Sequence, residues 1–162
     1  MLKAFHILAL LLVAIAMALS LAHALEFPGK LRLGKDAYMA VQQIYYPGFT
    51  FGGFVGEFGG MLTLAILLFL IPAGKPFWWA GIALLMLVAS HAVYWLVTHP
   101  VNGFWLKDFE LSGLSGAFFS VFAPPQTADW QQLRDVWEYS HVARACLAML
   151  SFLAAAISLS LT

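Results

Sequence analysis

The chain has 162 residues, of which 62% are hydrophobic and only 10% are charged. Soluble domains usually carry about a quarter charged residues, so this composition excludes that class and predicts an integral membrane protein. Eight basic residues balance eight acidic ones, so no basic surface for nucleic acid is expected.

Four apolar stretches are long enough to cross a bilayer as helices, which takes about 20 residues each. We therefore expect a single all-α domain over residues 1–162, a four-helix transmembrane bundle with up-down-up-down topology. The predicted spans cover residues 2–27, 49–72, 76–99 and 130–161.

The first span also resembles a signal peptide. Lys3 precedes its long apolar run, and Ala22-His23-Ala24 has the small-residue pattern of a cleavage site. The apolar run is longer than that of a usual signal peptide, so we favour a transmembrane helix.

The connections carry further signals. Residues 28–47 begin with a basic turn and continue with tyrosines, which predicts a short helix at the membrane interface. The glycines that open span two predict close packing of helices. Residues 100–129 form a long loop, expected to be a partial lid, and Thr127 or Asp129 is expected to cap the last helix.

Several other residues receive structural interpretations. His6 and His99 lie near predicted interfaces and are expected to be solvated, and Cys146, which has no CxxC companion, is interpreted as a packing residue. We interpret five aromatic residues as a belt at the membrane interfaces rather than as a substrate cage: Tyr45, Tyr46, Trp78, Trp79 and Trp105.

Basic residues in short connections indicate orientation, because they accumulate on the cytoplasmic side. The side of the first and third connections has Lys30, Arg32, Lys35 and Lys107. The opposite side has Lys3 and Lys75. We expect loops one and three to be cytoplasmic and both termini outside, in a bacterial inner membrane.

Six ionisable residues interrupt the four spans, where an unpartnered charge costs about 3 kcal/mol or more. They are His23, Glu26, Glu57, His91, Glu138 and His141. At 1.5 Å per residue, those in spans two to four lie about 12 to 16 Å from the helix ends on the cytoplasmic side. This shared depth predicts a polar centre in the cytoplasmic half of the bundle.

The spacing of these residues favours a metal site. His23 and Glu26 share a helix face, as do Glu138 and His141, and Glu-x-x-His motifs with further carboxylates ligate di-metal four-helix bundles. Here the first motif is reversed and the third helix offers only a histidine. Such ligands suit iron, copper, manganese or zinc. The predicted metal ligands are Glu26, Glu57, His91, Glu138 and His141.

Other residues complete the predicted site. His23 and Trp137 are expected to contact a cofactor, and haem between His91 and His141 is the alternative cofactor. Tyr94 and Arg144 are the predicted catalytic residues. Tyr94 is expected to be either a hydrogen-bond donor to a residue of the site or a proton relay, and Arg144 to neutralise Glu57 or Glu138 or to hold an anionic substrate group. A competing interpretation makes the same polar residues interhelical hydrogen-bonding partners only.

Three short motifs lie at the ends of spans one and three and near the start of span four. They are Glu26-x-Pro28, Pro100-Val101-Asn102 and Trp137-x-x-x-His141-x-x-Arg144. Together they resemble the anthrone-oxygenase-like family of small four-span membrane proteins, most of which are uncharacterised. The resemblance implies a compact four-helix membrane fold and, for some members, oxygenation of polycyclic aromatic substrates. It places His141 and Arg144 in a polar centre and implies no established cofactor.

The leading functional hypothesis is a membrane-embedded oxidoreductase or oxygenase with a polar, metal-binding centre, whose hydrophobic substrate enters from the lipid. One alternative is a haem- or quinone-binding electron-transfer protein. The other is a non-catalytic membrane subunit with a structural polar network, so enzymatic activity stays open. The expected partners are the lipid bilayer, a hydrophobic small molecule, and either further copies of the chain or a larger membrane complex.

Overall fold

The computed structural model describes residues 2–46, 48–106, 117–119, 121 and 128–162. This part of the chain is helical almost throughout and contains no strand. The helices are α1 (Leu2–Lys30), α2 (Lys35–Tyr45), α3 (Gly48–Leu70), α4 (Lys75–Trp105) and α5 (Trp130–Ser160). Helices α1, α3, α4 and α5 are long and apolar enough to cross a membrane, which confirms the all-α class and an integral membrane protein.

Helix α5 packs along both α1 and α4, and α3 packs against the same two helices. Hydroxyl groups mark the contact between α4 and α5. Ser151 Oγ donates to the carbonyl of Ala83 at 2.7 Å, and the hydroxyl oxygens of Thr98 and Ser140 lie 2.8 Å apart. These pairs advance in opposite directions along the two helices, so α4 and α5 are antiparallel.

Glycines in α3 allow α1 to approach closely, as the sequence predicts. A Cβ atom added to Gly56 would lie 2.7 Å from the backbone nitrogen of Ala16, closer than side chains pack. A Cβ atom on Gly60 would lie 2.9 Å from a methyl group of Leu87 in α4. The missing side chains therefore set the spacing of three helices beside the polar residues.

Helices α3 and α4 each contain one π-helical segment, Phe54–Phe58 and Tyr94–Thr98. The second segment explains why the predicted end of span three at residue 99 is wrong. Proline normally breaks an α-helix, because it lacks an N–H and its ring meets the preceding turn. The π segment shifts the hydrogen-bonding register just before Pro100, with the His99 N–H bonded to the Tyr94 carbonyl, and the helix continues to Trp105.

Helix α1 also continues past a proline. It includes Pro28 and ends at Lys30, three residues beyond the predicted end near residue 27. The extension brings Lys30 onto the helix face of His23 and Glu26, since residues three, four or seven apart lie on one side of a helix. The Lys30 side chain is consequently buried, with 4% of its surface exposed.

The remaining boundaries agree closely with the sequence. The predicted helix in the first connection is α2, and spans two and four, expected at 49–72 and 130–161, are Gly48–Leu70 and Trp130–Ser160. Asp129 caps α5, because its carboxylate accepts a hydrogen bond from the Gln131 N–H at 3.0 Å. Most of the predicted lid between spans three and four lies outside the described residues.

Several residues assigned to interfaces are buried instead. Tyr45 and Trp105 belong to a buried aromatic cluster with Val101 and Phe104, so their assignment to an exposed belt is wrong. His6 and His99 are also buried, which contradicts the expected solvation. Cys146, interpreted as a packing residue, is exposed on the outer face of α5. These errors share one cause, because sequence distance from a span end does not reveal which helix face is covered.

The glycine contact yields a matched stability test. We expect Gly56→Ala to lower the free energy of unfolding by about 1–3 kcal/mol, because its new Cβ meets the α1 backbone. Gly53→Ala makes the same change in the same helix with nothing within 4 Å, so it should be neutral or stabilising. Denaturant titration of the two variants in detergent micelles measures the difference, and equal stability of the two would contradict the close contact.

Candidate functional site

A cavity of about 930 Å³ is lined by side chains from all four spans and from the end of α2. Its polar wall includes seven side chains: His23, Glu57, His91, Tyr94, Asn102, His141 and Arg144. Its aromatic wall includes Phe49, Phe54, Phe58, Trp95 and Trp137. Seven of the nine predicted site residues thus line one cavity, and the two that do not are Glu26 and Glu138.

The Glu57 carboxylate is held at both oxygens. Arg144 Nη2 donates to Oε1 in a buried ion pair, so Glu57 is the one of its expected partners that Arg144 neutralises, and His91 Nδ1 lies 2.8 Å from Oε2. On the other side of the ring, Trp95 Nε1 donates to His91 Nε2 at 2.9 Å. An indole nitrogen can only donate, so Nε2 is the acceptor and the His91 proton lies on Nδ1, directed at Glu57.

The two π-helical segments position this group. Glu57 lies within the π segment of α3, and His91 lies one turn before the π segment of α4, which contains Trp95. A π turn is wider than an α turn and changes the direction of its side chains; such turns are rare and frequent at functional sites. The sequence shows no signal for either segment except Pro100.

His141 is fixed from two directions within α5. Its Nδ1 lies 2.9 Å from the carbonyl of Trp137 and must carry the proton, because a carbonyl only accepts. Its Nε2 lies 3.3 Å from Nη1 of Arg144. The Arg144 guanidinium lies 5.1 Å from the ring centre of Tyr94, within cation–π range. Arg144 therefore connects His141, Tyr94 and Glu57.

A second charged group, which we call the Lys30 cluster, lies beside the cavity. Lys30 Nζ is 3.1 Å from the Glu26 carboxylate and 3.5 Å from that of Glu138. Tyr38 donates to Glu138 at 2.9 Å, and Tyr45 donates to Glu26. Both tyrosines belong to α2, so these hydrogen bonds fasten α2 to the bundle.

Three residues of the cavity and the Lys30 cluster are not predicted as site residues from the sequence: Lys30, Tyr38 and Asn102. Lys30 is assigned to the basic connection, although its spacing from Glu26 is a detectable signal once α1 is known to pass Pro28. Tyr38 has no such signal, because its partner Glu138 is a hundred residues away. Asn102 enters only as part of a motif, and its Oδ1 accepts from Trp137 Nε1 at 2.7 Å.

The five predicted metal ligands do not converge on one point. Glu26 and Glu138 belong to the Lys30 cluster. The group around Arg144 contains the other three, Glu57, His91 and His141. Within the described residues, no three His, Cys, Asp or Glu side chains are placed to hold a metal ion. Lys30 and Arg144 occupy the positions beside the carboxylates that a metal cation would need, so this donor set does not fit the predicted metal.

The predicted haem ligands do not fit either. His91 and His141 each have both ring nitrogens in polar contacts, with Glu57 and Trp95 for His91 and with Trp137 and Arg144 for His141. Axial ligation needs a free lone pair on one nitrogen of each ring. Each histidine would have to give up an existing contact first.

Comparison of the chain with protein-family models, with curated proteins and with solved structures finds no match. The resemblance to the anthrone-oxygenase-like family therefore stays a prediction based on its three motifs.

The buried ion pair predicts a large loss of stability when one partner is removed. We expect Arg144→Gln to cost about 3–5 kcal/mol, because it leaves the Glu57 carboxylate buried without its cation, and Glu57→Met/Arg144→Met to recover most of that loss. The control Arg134→Gln breaks an ion pair with the half-exposed Asp135 and should cost about 1 kcal/mol or less. Unfolding titrations compare the three variants, and wild-type stability of Arg144→Gln would contradict the assignment.

The tyrosines of the α2 region give a second prediction. Burial raises the pKa of Tyr38, Tyr45 and Tyr46 well above the usual value, and the carboxylates bonded to Tyr38 and Tyr45 raise it further. Folding therefore favours the protonated form of these tyrosines. Their contribution to the free energy of unfolding is complete below the ordinary tyrosine pKa of about 10, and it is lost as pH rises beyond that value.

We expect these three tyrosines to stay neutral one pH unit above that ordinary value while the protein is folded. Tyrosinate absorbance of wild type, compared with the Tyr38→Phe and Tyr45→Phe variants, measures their contributions. An absorbance increase that reaches the value of the unfolded chain at that pH, with helicity unchanged, would contradict the burial of these hydroxyls.

Proposed function

We propose that the chain is a membrane-embedded oxidoreductase of the oxygenase type, which removes a proton from a hydrophobic substrate in the cavity. One observation carries the proposal. The Glu57–His91 pair lies on the wall of a largely apolar cavity, with the carboxylate fixed by Arg144 and the imidazole held in one tautomer. A carboxylate that orients a neutral histidine is a recurring arrangement for general-base catalysis.

His91 Nε2 is the basic atom in this arrangement. When a substrate displaces the indole N–H of Trp95, the Nε2 lone pair can accept a proton from the substrate. Glu57 then faces the imidazolium that forms and stabilises it, as a buried carboxylate does in other histidine-based sites. Arg144 holds Glu57 in place and supplies positive charge near the anion formed on the substrate.

The shape of the cavity favours a lipophilic substrate. Its volume of about 930 Å³ lies within the range of small-molecule sites. Phe54, Phe58 and Trp95 line it although 63%, 52% and 38% of their surfaces are exposed, so the cavity is open on their side. These three residues belong to the π segments of α3 and α4. The space between those segments therefore suits lateral entry from the lipid.

The reaction that follows from proton removal needs an oxidant, and dioxygen is the one proposed. The substrate carries a methylene carbon whose C–H bonds are acidified by a carbonyl group conjugated with it through an aromatic ring. One methylene group and one molecule of dioxygen give one carbonyl group and one molecule of water, which balances atoms and electrons. His91 takes the first proton from carbon, and that proton leaves in the water. The family resemblance implies polycyclic aromatic substrates, and anthrone is a polycyclic aromatic compound that contains such a carbon.

The proposed membrane arrangement follows the same bundle. Neighbouring spans traverse the bilayer in alternating directions, up-down-up-down, with loops one and three in the cytoplasm of a bacterial cell. Lys30 is buried and no longer counts toward the orientation, but Arg32, Lys35 and Lys107 still outnumber Lys3 and Lys75. The cavity would then lie in the cytoplasmic half of the inner membrane.

A purely structural role is supported for one part of the network only. The Lys30 cluster joins α1, α5 and α2, and two of its contacts serve to hold α2 in place. His91 differs, because one of its nitrogens is bonded only to a partly exposed indole beside the cavity. A hydrogen bond with a purely structural role would not need to lie beside the cavity.

Oxygen uptake tests the proposal. Protein in lipid nanodiscs is supplied with anthrone, a polycyclic ketone with an acidic methylene group, and uptake by empty nanodiscs is subtracted. We expect His91→Gln and Glu57→Gln to lower turnover by about 100-fold or more, because proton abstraction loses its base or the carboxylate that orients it. The matched control is His6→Gln, which changes a buried histidine that does not line the cavity. Wild-type rates in the His91→Gln variant would contradict the proposal.

A further inference from the structure

His23 has a role in the cavity that the general-base mechanism does not use. Its Nδ1 lies 3.4 Å from Lys30 Nζ. An ammonium group has only donors, so Nδ1 must offer a lone pair, and the single proton of the imidazole lies on Nε2. Lys30 therefore determines which nitrogen of His23 carries the proton.

The cavity is the environment of the other nitrogen. The His23 ring lines the cavity, and no described residue accepts a hydrogen bond from its Nε2. Rings of Tyr45, Trp137 and His141 surround it, with centroids 4.5, 4.9 and 4.2 Å away. The ring is packed on several sides, and its remaining donor is available to a molecule in the cavity.

Lys30 is itself held firmly. Glu26 and Glu138 contact its ammonium group, and the rings of Tyr45 and Trp137 lie 4.6 and 5.0 Å from Nζ. These contacts come from α1, α2 and α5, so the ammonium has little freedom to leave His23. The geometry that sets the His23 tautomer is built into the fold.

We propose that Lys30 is a positioning residue that presents His23 Nε2–H to the cavity, so that the site selects ligands with an acceptor oxygen such as a carbonyl. This inference rests on the proposed function and names a property of its substrate. The cavity then has two different polar ends. His23 donates in the buried interior, and His91 Nε2 accepts beside the partly exposed Trp95. A ligand with a carbonyl oxygen would be oriented with that oxygen toward His23.

Imidazole nitrogen chemical shifts measured by NMR in nanodiscs test the tautomer directly. The His23 signals are assigned by their loss in His23→Gln. We expect wild-type His23 to be protonated on Nε2 and unprotonated on Nδ1. Lys30→Met should give a mixture of tautomers, whereas Lys35→Met, which alters an exposed lysine, should change nothing. A wild-type His23 protonated on Nδ1 overturns the inference.

Paired probes test the selectivity. Methylnaphthoquinone and methylnaphthalene share a ring skeleton, but only the first has carbonyl oxygens. We measure their partition into protein-containing nanodiscs, with empty nanodiscs subtracted. Wild type and Lys35→Met should favour the quinone by about 5- to 10-fold more than Lys30→Met does, as expected for one hydrogen bond to a neutral acceptor.

The outcomes separate this inference from the proposed function. Equal preference in wild type and Lys30→Met, with both probes bound, overturns the donor assignment and leaves the Glu57–His91 base untouched. Binding of neither probe to wild type overturns the cavity as a ligand site and both proposals with it. Should Lys30→Met fail to fold, Lys30→Met/Glu138→Gln removes the buried one of the two carboxylate charges left behind, since Glu26 is partly exposed, and the wild-type tautomer remains decisive.

Discussion

Two cations inside the bundle, Lys30 and Arg144, compensate the carboxylates that the apolar helices bury. A charge in the middle of a bilayer costs about 3 kcal/mol or more unless it is paired. Helices α3 and α5 bury Glu57 and Glu138, whereas the side chain of Glu26 in α1 is 43% exposed. Arg144 pairs with Glu57, and Lys30 lies between the other two. The positions of the histidines follow from these pairs, since His91 and His141 bond to the first pair and His23 to Lys30.

This compensation changes how the polar centre is understood. Three glutamates and three histidines at one depth resemble a metal site, because metal ligation is one way to neutralise buried carboxylates. The structure neutralises them with basic side chains in two separate groups. Two histidines remain available for chemistry. His91 accepts a hydrogen bond at the edge of the cavity, and His23 is the proposed donor in its interior.

Departures from regular helix create this arrangement. Glu57 lies in the π segment of α3, and the π segment of α4 begins one turn after His91, so both segments flank the Glu57–His91 contact. Aromatic side chains of these segments line the cavity and are partly exposed. The passage of α1 through Pro28 gives the Lys30 cluster its cation. The π segments interrupt regular α-helical hydrogen bonding, and a proline such as Pro28 normally ends a helix. Irregular features of this kind are concentrated at functional sites.

The same features mark the limit of sequence-based prediction here. Hydropathy and length suffice for the four spans, and the i, i+3 spacing correctly identifies faces with shared polar residues. An ion pair of Arg144 with a buried carboxylate was also predictable, since a buried carboxylate needs a cation and few are available, but the sequence left Glu57 and Glu138 as alternative partners. The division into two groups was not, because it depends on a lysine assigned to a loop and on Tyr38 bonding to Glu138 across a hundred residues. Rotation by one residue turns a side chain about 100° around a helix, so shared depth cannot reveal convergence.

Heteronuclear distance measurements by solid-state NMR in lipid bilayers test the central claim most directly. With labelled lysine, arginine and glutamate, we predict contact between Lys30 Nζ and the carboxylates of Glu26 and Glu138, with nitrogen–oxygen distances near 3.1 and 3.5 Å, and contact between Arg144 and Glu57. A Lys30 ammonium exposed to water, with the carboxylates of Glu57 and Glu138 adjacent to one another around one centre, would contradict it.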